Sequence, residues 1–364
     1  MSRPALRRAL ILAENLDNVG DLALLLQLVH GLRDRLGITE IYVRQWQLPA
    51  SETMCFMEEQ GLSVVAGKSI KGLLNWRTLL IYGGGQVVRD QSSRASMLAM
   101  RMTIFFSFLG QCRRAALAIG VSPLKSRFHK GAWSSILSAF SPITVRDAVS
   151  LERANELLEQ KVKTELTADL AFLPSPLHKA LLVNTARKTI IIAPCDDARE
   201  GRTLDLDAVA GMAFDLASLR NVWHFTLIAH DTRPEMDGAV CEALADILRA
   251  KGDMHIEIVA TASLDACLTH YRNAAAVLTN RLHAMIFAML GHKPVLIIND
   301  RNDKLAAAAE RFSVSKLDQN ATENQSVINN ELAGVYLPER NTALQHASEQ
   351  AERNFTFLEE SLKT

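Results

Sequence analysis

Paired cysteines are the first thing missing. Cys55, Cys112, Cys195, Cys241 and Cys267 are scattered, odd in number and without a CxxC pair. That pattern excludes a small disulfide-stapled scaffold and predicts reduced thiols in a cytoplasmic protein. No pair of histidines has HExxH or comparable metal spacing, so no zinc or other metal site is expected. A serine-hydrolase GxSxG elbow is lacking, as are a GxGxxG fingerprint and the lysine and hydroxyl of a P-loop. Net charge is missing as well: it is formally +0, so the molecule as a whole does not advertise a nucleic-acid partner, and none is expected. No apolar run reaches the roughly 20 residues of a membrane span. The longest, "SMLAMRMTIFFSFLG", carries Arg101 in its middle. Near the start, the apolar run Ala9 to Ala13 is too short for a signal peptide's hydrophobic region and reads as a first buried strand.

What is present is ordinary globular composition, 48% apolar and 22% charged, over 364 residues. That length is comfortable for two domains. Charge is unevenly spread. Between Arg89 and Lys130 stand eight basic residues against one acid, Asp90. Such a stretch suits an anionic partner or a membrane surface, or else a solvated face balanced elsewhere in the fold. Strand-length apolar runs alternate with helix-period segments in both halves, with a lapse around Pro174 and Pro176. Strand–helix alternation twice over predicts two Rossmann-like parallel-sheet α/β domains facing a cleft. The expected division is 1–180, then 187–340, then a terminal helix over 341–364.

In such sheets the chemistry belongs at the carboxyl ends of strands. Five polar clusters fall there. "ENLDNVGD" brings Asn18, Gly20 and Asp21 to the opening of the first helix. "YGGGQVVRD" supplies Gly83, Gly84 and Gly85, a turn that lets backbone amides approach an anion, or simply a tight turn under a helix. "ITVRDAVS" puts Arg146 at a strand-to-helix junction, and "INDRNDK" offers Lys304 at the next helix start. The fifth is "TNRLHA". With Thr279 or Asn280 as N-cap, Arg281 and His283 fall in the first helical turn. The helix dipole there favours an anion, arginine adds a planar fork, and histidine carries a proton that moves near neutral pH. Acid-assisted chemistry on a phosphorylated or carboxylated substrate needs that combination. The plainer alternative has His283 bonded to backbone and Arg281 paired with an acid.

These pieces in this order resemble the polysaccharide pyruvyl transferase family, from Asn15 to about Phe312. The marks are the Asn18-x-Gly20-Asp21 turn, the triple glycine, "AIGVSP", "ITVRDAVS", "TADLAFLP" with Asp169, "NRLHAMIFAMLGHKP" and Asp303-Lys304. The resemblance implies a glycosyltransferase-B-like fold and transfer of a pyruvyl group from phosphoenolpyruvate to two hydroxyls of one sugar, forming a cyclic ketal. It implies His283 as general acid, Arg281 and Arg146 as donor clamps and Lys304 as a third cation. The glycine turn would border the cleft; the loop with Asn18 and Asp21 would help shape the acceptor side, and Gly20 counts with them and the three glycines as substrate-binding. Phosphoenolpyruvate is then a co-substrate and no cofactor is expected. The acceptor would be a bacterial exopolysaccharide or cell-surface glycan, in some members carried on a lipid diphosphate, and the basic stretch would suit peripheral attachment at the inner face of the plasma membrane. Two other readings remain open: a glycosyltransferase using a nucleotide-sugar donor, and a non-catalytic sugar-phosphate-binding protein.

Overall fold

The structure, a computed structural model, describes residues 6–67, 69, 73–183, 188–196, 203–233, 235–252, 254–261, 263–298, 303–319, 324–334 and 337–363, the side chains of residues 303 and 304 excepted. The chain forms two compact units: residues 1–16, 21–174 and 347–364 make unit 1, and residues 17–20 and 175–346 make unit 2.

Unit 1 follows the alternation read from sequence. Its elements are β1 (Arg8–Leu12), α1 (Val19–Leu36), β2 (Glu40–Gln45), α2 (Ser51–Glu59), β3 (Ser63–Ala66), β4 (Thr78–Gly83), α3 (Arg94–Leu109), β5 (Arg113–Ile119), α4 (Arg127–Leu137), β6 (Ile143–Val145), α5 (Ala148–Leu157) and β7 (Thr164–Leu166). All seven strands are parallel, in the order β3-β2-β1-β4-β5-β6-β7. The central strands β1 and β4 are continuous apolar runs because helices cover both faces of a parallel sheet. Helix α1 stops where Gly37 adopts φ +63° and the amide of Ile38 donates back to the Leu32 carbonyl, 3.1 Å away. A residue with a Cβ resists that left-handed turn. Leu10, Leu80, Ile119, Trp133, Phe140 and Ile143 lie in the core of this unit.

Unit 2 repeats the plan with α6 (Pro176–Leu181), β8 (Thr189–Ala193), α7 (Leu206–Arg220), β9 (His224–Ala229), α8 (Asp237–Lys251), β10 (His255–Ala260), α9 (Leu264–Arg272), β11 (Ala274–Thr279), α10 (Leu282–Leu290), β12 (Val295–Ile298), α11 (Asp303–Arg311), β13 (Ser315–Leu317), α12 (Asn324–Leu332) and the start of α13 (Leu337–Lys363). Six parallel strands run β10-β9-β8-β11-β12-β13. In each sheet the winding reverses between two neighbouring strands, β1 and β4 in unit 1, β8 and β11 in unit 2. Ligands of open α/β sheets bind outside the carboxyl ends at such a switch point.

The units are not cut from the chain at one place. Asp17–Gly20 count with unit 2, and so does the chain from Ser175 onward, earlier than the reading that carried the first domain to residue 180. The helix expected over 341–364 starts at Leu337, and from Ala347 on it belongs to unit 1. The reason is packing. Ala347, Ala351, Phe355 and Leu358 recur at helical spacing and are all 0% exposed. Asn354 accepts a hydrogen bond from Thr167 at 2.9 Å and donates to the Ala168 carbonyl at 3.1 Å.

Candidate active site

The junction after β11 is built by its own polar side chains. Thr279 donates to the Ala193 carbonyl at 2.7 Å and accepts from the Arg281 amide at 2.9 Å. Asn280 clasps Cys195 on both sides, accepting from its amide at 2.7 Å and donating to its carbonyl at 2.6 Å. These bonds tie the ends of β8 and β11 together at the switch point and consume the two residues expected to cap the next helix. The N-cap is Arg281 instead, with extended backbone and no side-chain bond to the first amides. Arg281 is therefore one residue outside the first turn where the sequence reading put it, while His283 lies within it.

Around that helix start unit 2 gathers a compact set of groups. The Arg281 guanidinium donates to Asp237 at the head of α8, a carboxylate 1% exposed whose other oxygen accepts from the Asp231 amide at 3.0 Å. Burial lifts the Asp237 carboxyl pKa against the pull of Arg281. Burial opposes the charge on Arg281, but Asp237 together with Cys195 and Asp231 outweighs it and raises the guanidinium pKa above its ordinary value, so Arg281 stays cationic. His230, at the end of β9, sits 2.6 Å from the Tyr271 hydroxyl and stacks on Phe287, as His283 does from 6.4 Å. Burial first, then the nearby charges of Arg281 and His283, holds His230 well below 6.5, so it is neutral at physiological pH.

The loop carrying Asn18 and Gly20 joins this cluster. The Val19 amide donates to the His230 carbonyl at 2.8 Å, and the Thr232 amide donates to Asp17 at 2.9 Å. Asn18 caps α1, accepting from the Gly20 amide at 2.9 Å. Gly20 lies flat against the His283 ring, and a Cβ there would overlap it. The loop assigned to the acceptor side thus places Gly20 against His283, with Asn18 bonded to the Gly20 amide, whereas Asp21 counts with unit 1.

In unit 1 the strand ends carry a second cluster. Arg146, 8% exposed, donates to Asp169 at 3.0 Å and to Gln86 at 3.0 Å, with Asp147 3.6 Å away. Asp169 also caps the turn at Leu170–Phe172 through the Ala171 amide, so its position is doubly fixed. Gly84 and Gly85 have φ of +72° and +76°, and Gly84 is laced to β5 through the Leu117 carbonyl at 2.8 Å. A Cβ on Gly83 or Gly84 would press into Leu28 or Leu24 of α1; one on Gly85 would stand 3.0 Å from Glu14. The first two glycines therefore serve close packing under a helix, and the third leaves space for Glu14. That carboxyl is pushed up by burial although Arg89 lies 2.7 Å away. Lys304 is in α11, but its side chain lies outside the described residues.

Half of the plainer reading thus describes Arg281, which does pair with an acid. Asp237, Gln86 and Glu14 were not among the site residues expected from sequence. Asp237 offered one signal, an acid opening a helix just after a strand. Among the described residues no group of three or more His, Cys, Asp and Glu side chains is arranged to hold a metal ion.

The profile of the family described as polysaccharide pyruvyl transferase matches residues 18–302. The chain belongs to that family. As a polysaccharide pyruvyl transferase it is a transferase, and the family implies a saccharide acceptor. Comparison with curated proteins finds no sequence match. Solved structures share the fold at low identity. The UDP-GlcNAc 2-epimerase of Methanocaldococcus jannaschii is 12% identical with a TM-score of 0.62, covering 97% of this chain and 99% of its own. The same enzyme from Neisseria meningitidis, bound to UDP-GlcNAc, is 12% identical with a TM-score of 0.59, covering 97% of this chain and 100% of its own. A glycosyltransferase from Rickettsia africae is 12% identical with a TM-score of 0.57, covering 98% of both chains. The fold of this pyruvyl transferase is accordingly glycosyltransferase-B-like, as the family resemblance implied.

Proposed function

We propose that this transferase moves the pyruvyl group of phosphoenolpyruvate onto two hydroxyls of one sugar, in a bacterial exopolysaccharide or cell-surface glycan. The observation that carries the reading is the pairing at the head of α10: a permanent cation, Arg281, two residues from a half-buried histidine, His283, at the switch point of a parallel sheet.

The chemistry asks for those two groups. His283 gives its proton to the methylene carbon of phosphoenolpyruvate, making the methyl group and an electrophilic central carbon. A first sugar hydroxyl adds there. The bond from that carbon to the phosphate oxygen then breaks, and the second hydroxyl closes the ketal. Of the two hydroxyl protons, one restores the histidine and one departs with inorganic phosphate. Arg281 offsets charge on the donor, held in place by Asp237. Arg146, oriented by Asp169 and Gln86, is a second donor cation, and Lys304 a third. The turn at Gly83–Gly85 contributes to substrate binding. Asn18 and Gly20 hold the histidine in position, and Asp21 belongs to the acceptor side. The reaction needs no cofactor and runs in the cytoplasm, on an acceptor that some pathways carry as a lipid diphosphate.

Phosphate release from phosphoenolpyruvate, measured with and without a panel of glycosides, tests the reading. Expected is acceptor-dependent release, a pyruvylated glycoside in the mass spectrum, and loss of both in His283→Ala. A melting temperature raised by UDP-GlcNAc and untouched by phosphoenolpyruvate would instead make this a nucleotide-sugar enzyme.

A further inference from the structure

Helix α3 carries large apolar side chains on both of its faces. Toward the core it presents Met97, Met100, Thr103, Ile104 and Ser107, and the two hydroxyls are satisfied by their own helix, at the carbonyls of Ala99 and Ile104. Toward solvent it presents Leu98, Met102, Phe105, Phe108 and Leu109, all exposed, Leu98 by 63% and Phe105 by 52%. Spacings of three and four residues put them on one stripe. Arg94 and Arg101 are exposed on the same stripe. Arg94 lies over the exposed ring of Phe128, 5.3 Å away, so the surface extends onto α4. Single exposed apolar residues are ordinary; a contiguous face of large ones marks a contact.

Charge identifies the partner. From Gln91 to Arg146 the chain contains no Asp or Glu at all. A second copy meeting this face about a two-fold axis would set arginines against arginines with no acid on the stripe to pair them. An anionic lipid surface answers both halves of the pattern. It offers acyl chains to the apolar side chains and phosphates to the guanidinium groups, which reach outward along their own stems. The helix has 16 residues, and among the described residues no helix is long and apolar enough to cross a bilayer. It is suited to lie in the interface, not to span it.

We propose that the outer face of α3, with Phe128 of α4, docks unit 1 on an anionic bilayer. The inference stands on the helix alone and is independent of the donor assigned above.

Flotation with vesicles tests it, using phosphatidylcholine alone and phosphatidylcholine mixed with phosphatidylglycerol, each at low and high salt. The wild-type protein is expected to float with the anionic vesicles at low salt and to be released at high salt. Leu98→Ser/Phe105→Ser should partition at least about tenfold more weakly. Arg94→Gln/Arg101→Gln should lose about fivefold per arginine and flatten the salt dependence. Matching thermal melts would show that these surface variants fold, and turnover on a soluble acceptor should be unchanged in both. Equal binding to neutral and anionic vesicles, or serine variants that float like wild type, would overturn the proposal. So would a wild-type dimer in lipid-free buffer that Leu98→Ser/Phe105→Ser converts to monomer, since a second copy would then cover the face.

Discussion

Arg146 follows β6 in unit 1 and Arg281 follows β11 in unit 2, and each guanidinium rests on an aspartate buried in its own unit, Asp169 and Asp237. In both, a strand end supplies the cation and a separate element supplies the acid that fixes it. The surroundings differ. Arg146 has carboxylates and an amide as neighbours, three of them within 3.6 Å. Arg281 shares its end of the sheet with His230 and His283. One cluster can hold an anion; the other can hold an anion and move a proton. The same backbone plan thus yields two buried arginine–aspartate pairs, only one of which has histidines beside it, and the difference follows from side chains alone.

Breaking either pair should have the largest effect. Asp237→Ala removes the buried carboxylate paired with the Arg281 guanidinium and should cost about 3–5 kcal/mol in denaturant unfolding, and Asp169→Ala should cost less, because Arg146 keeps Gln86 and Asp147. The doubles Arg146→Met/Asp169→Leu and Arg281→Met/Asp237→Leu should recover most of that stability while raising the half-saturating phosphoenolpyruvate concentration. A double that recovers stability and keeps wild-type saturation would remove its arginine from the donor site.

Gly20→Ala comes next, at about 1–3 kcal/mol, because the added methyl drives into the His283 ring. If the displaced group is the acid, as proposed, turnover should fall more than donor affinity. Unchanged turnover would separate the loop from the histidine.

His230 gives a pH signature. Its folded pKa lies well below 6.5, so between the two values the unfolded chain binds a proton that the folded chain does not. Stability should therefore fall as pH drops below 6.5 and be flat above it as far as this residue contributes. The difference between wild type and His230→Gln should slope by at most about 1.4 kcal/mol per pH unit in that window. Parallel curves would mean His230 is not held neutral. Smallest is Gly85→Ala, about 1 kcal/mol by thermal unfolding for a left-handed backbone position.

Much of the fold was legible because parallel strands buried on both faces read as short apolar runs, as in "TLLIY" and "TIIIA". The helix-period segments between the strands of the second half are helices in the structure, as at Leu206–Arg220 and Asp237–Lys251. Helix α4 was not foreseen, although Ala132, Trp133, Ile136 and Leu137 are buried at helical spacing; it follows directly on the run of basic residues and carries Gly131, a poor helix former, in its middle. Long-range choices were hidden altogether. Nothing local tells Asp17–Gly20 to join unit 2, or Phe355 to enter the core of unit 1. Arg281 and His283 were visible from their spacing, but Asp237 is 44 residues from Arg281 in sequence, and only folding brings them together. The cap of α10 was misassigned because Thr279 and Asn280, good caps by composition, are spent on Ala193 and Cys195.

The most direct measurement sets proton donation against binding at one residue. His283→Gln keeps size and hydrogen-bonding capacity and cannot act as a general acid near neutral pH. Phosphoenolpyruvate affinity by calorimetry should be close to wild type, while single-turnover pyruvyl transfer falls by about 10²–10⁴. Transfer within tenfold of wild type would contradict the role of His283 as the acid, leaving the head of α10 as an anion site alone.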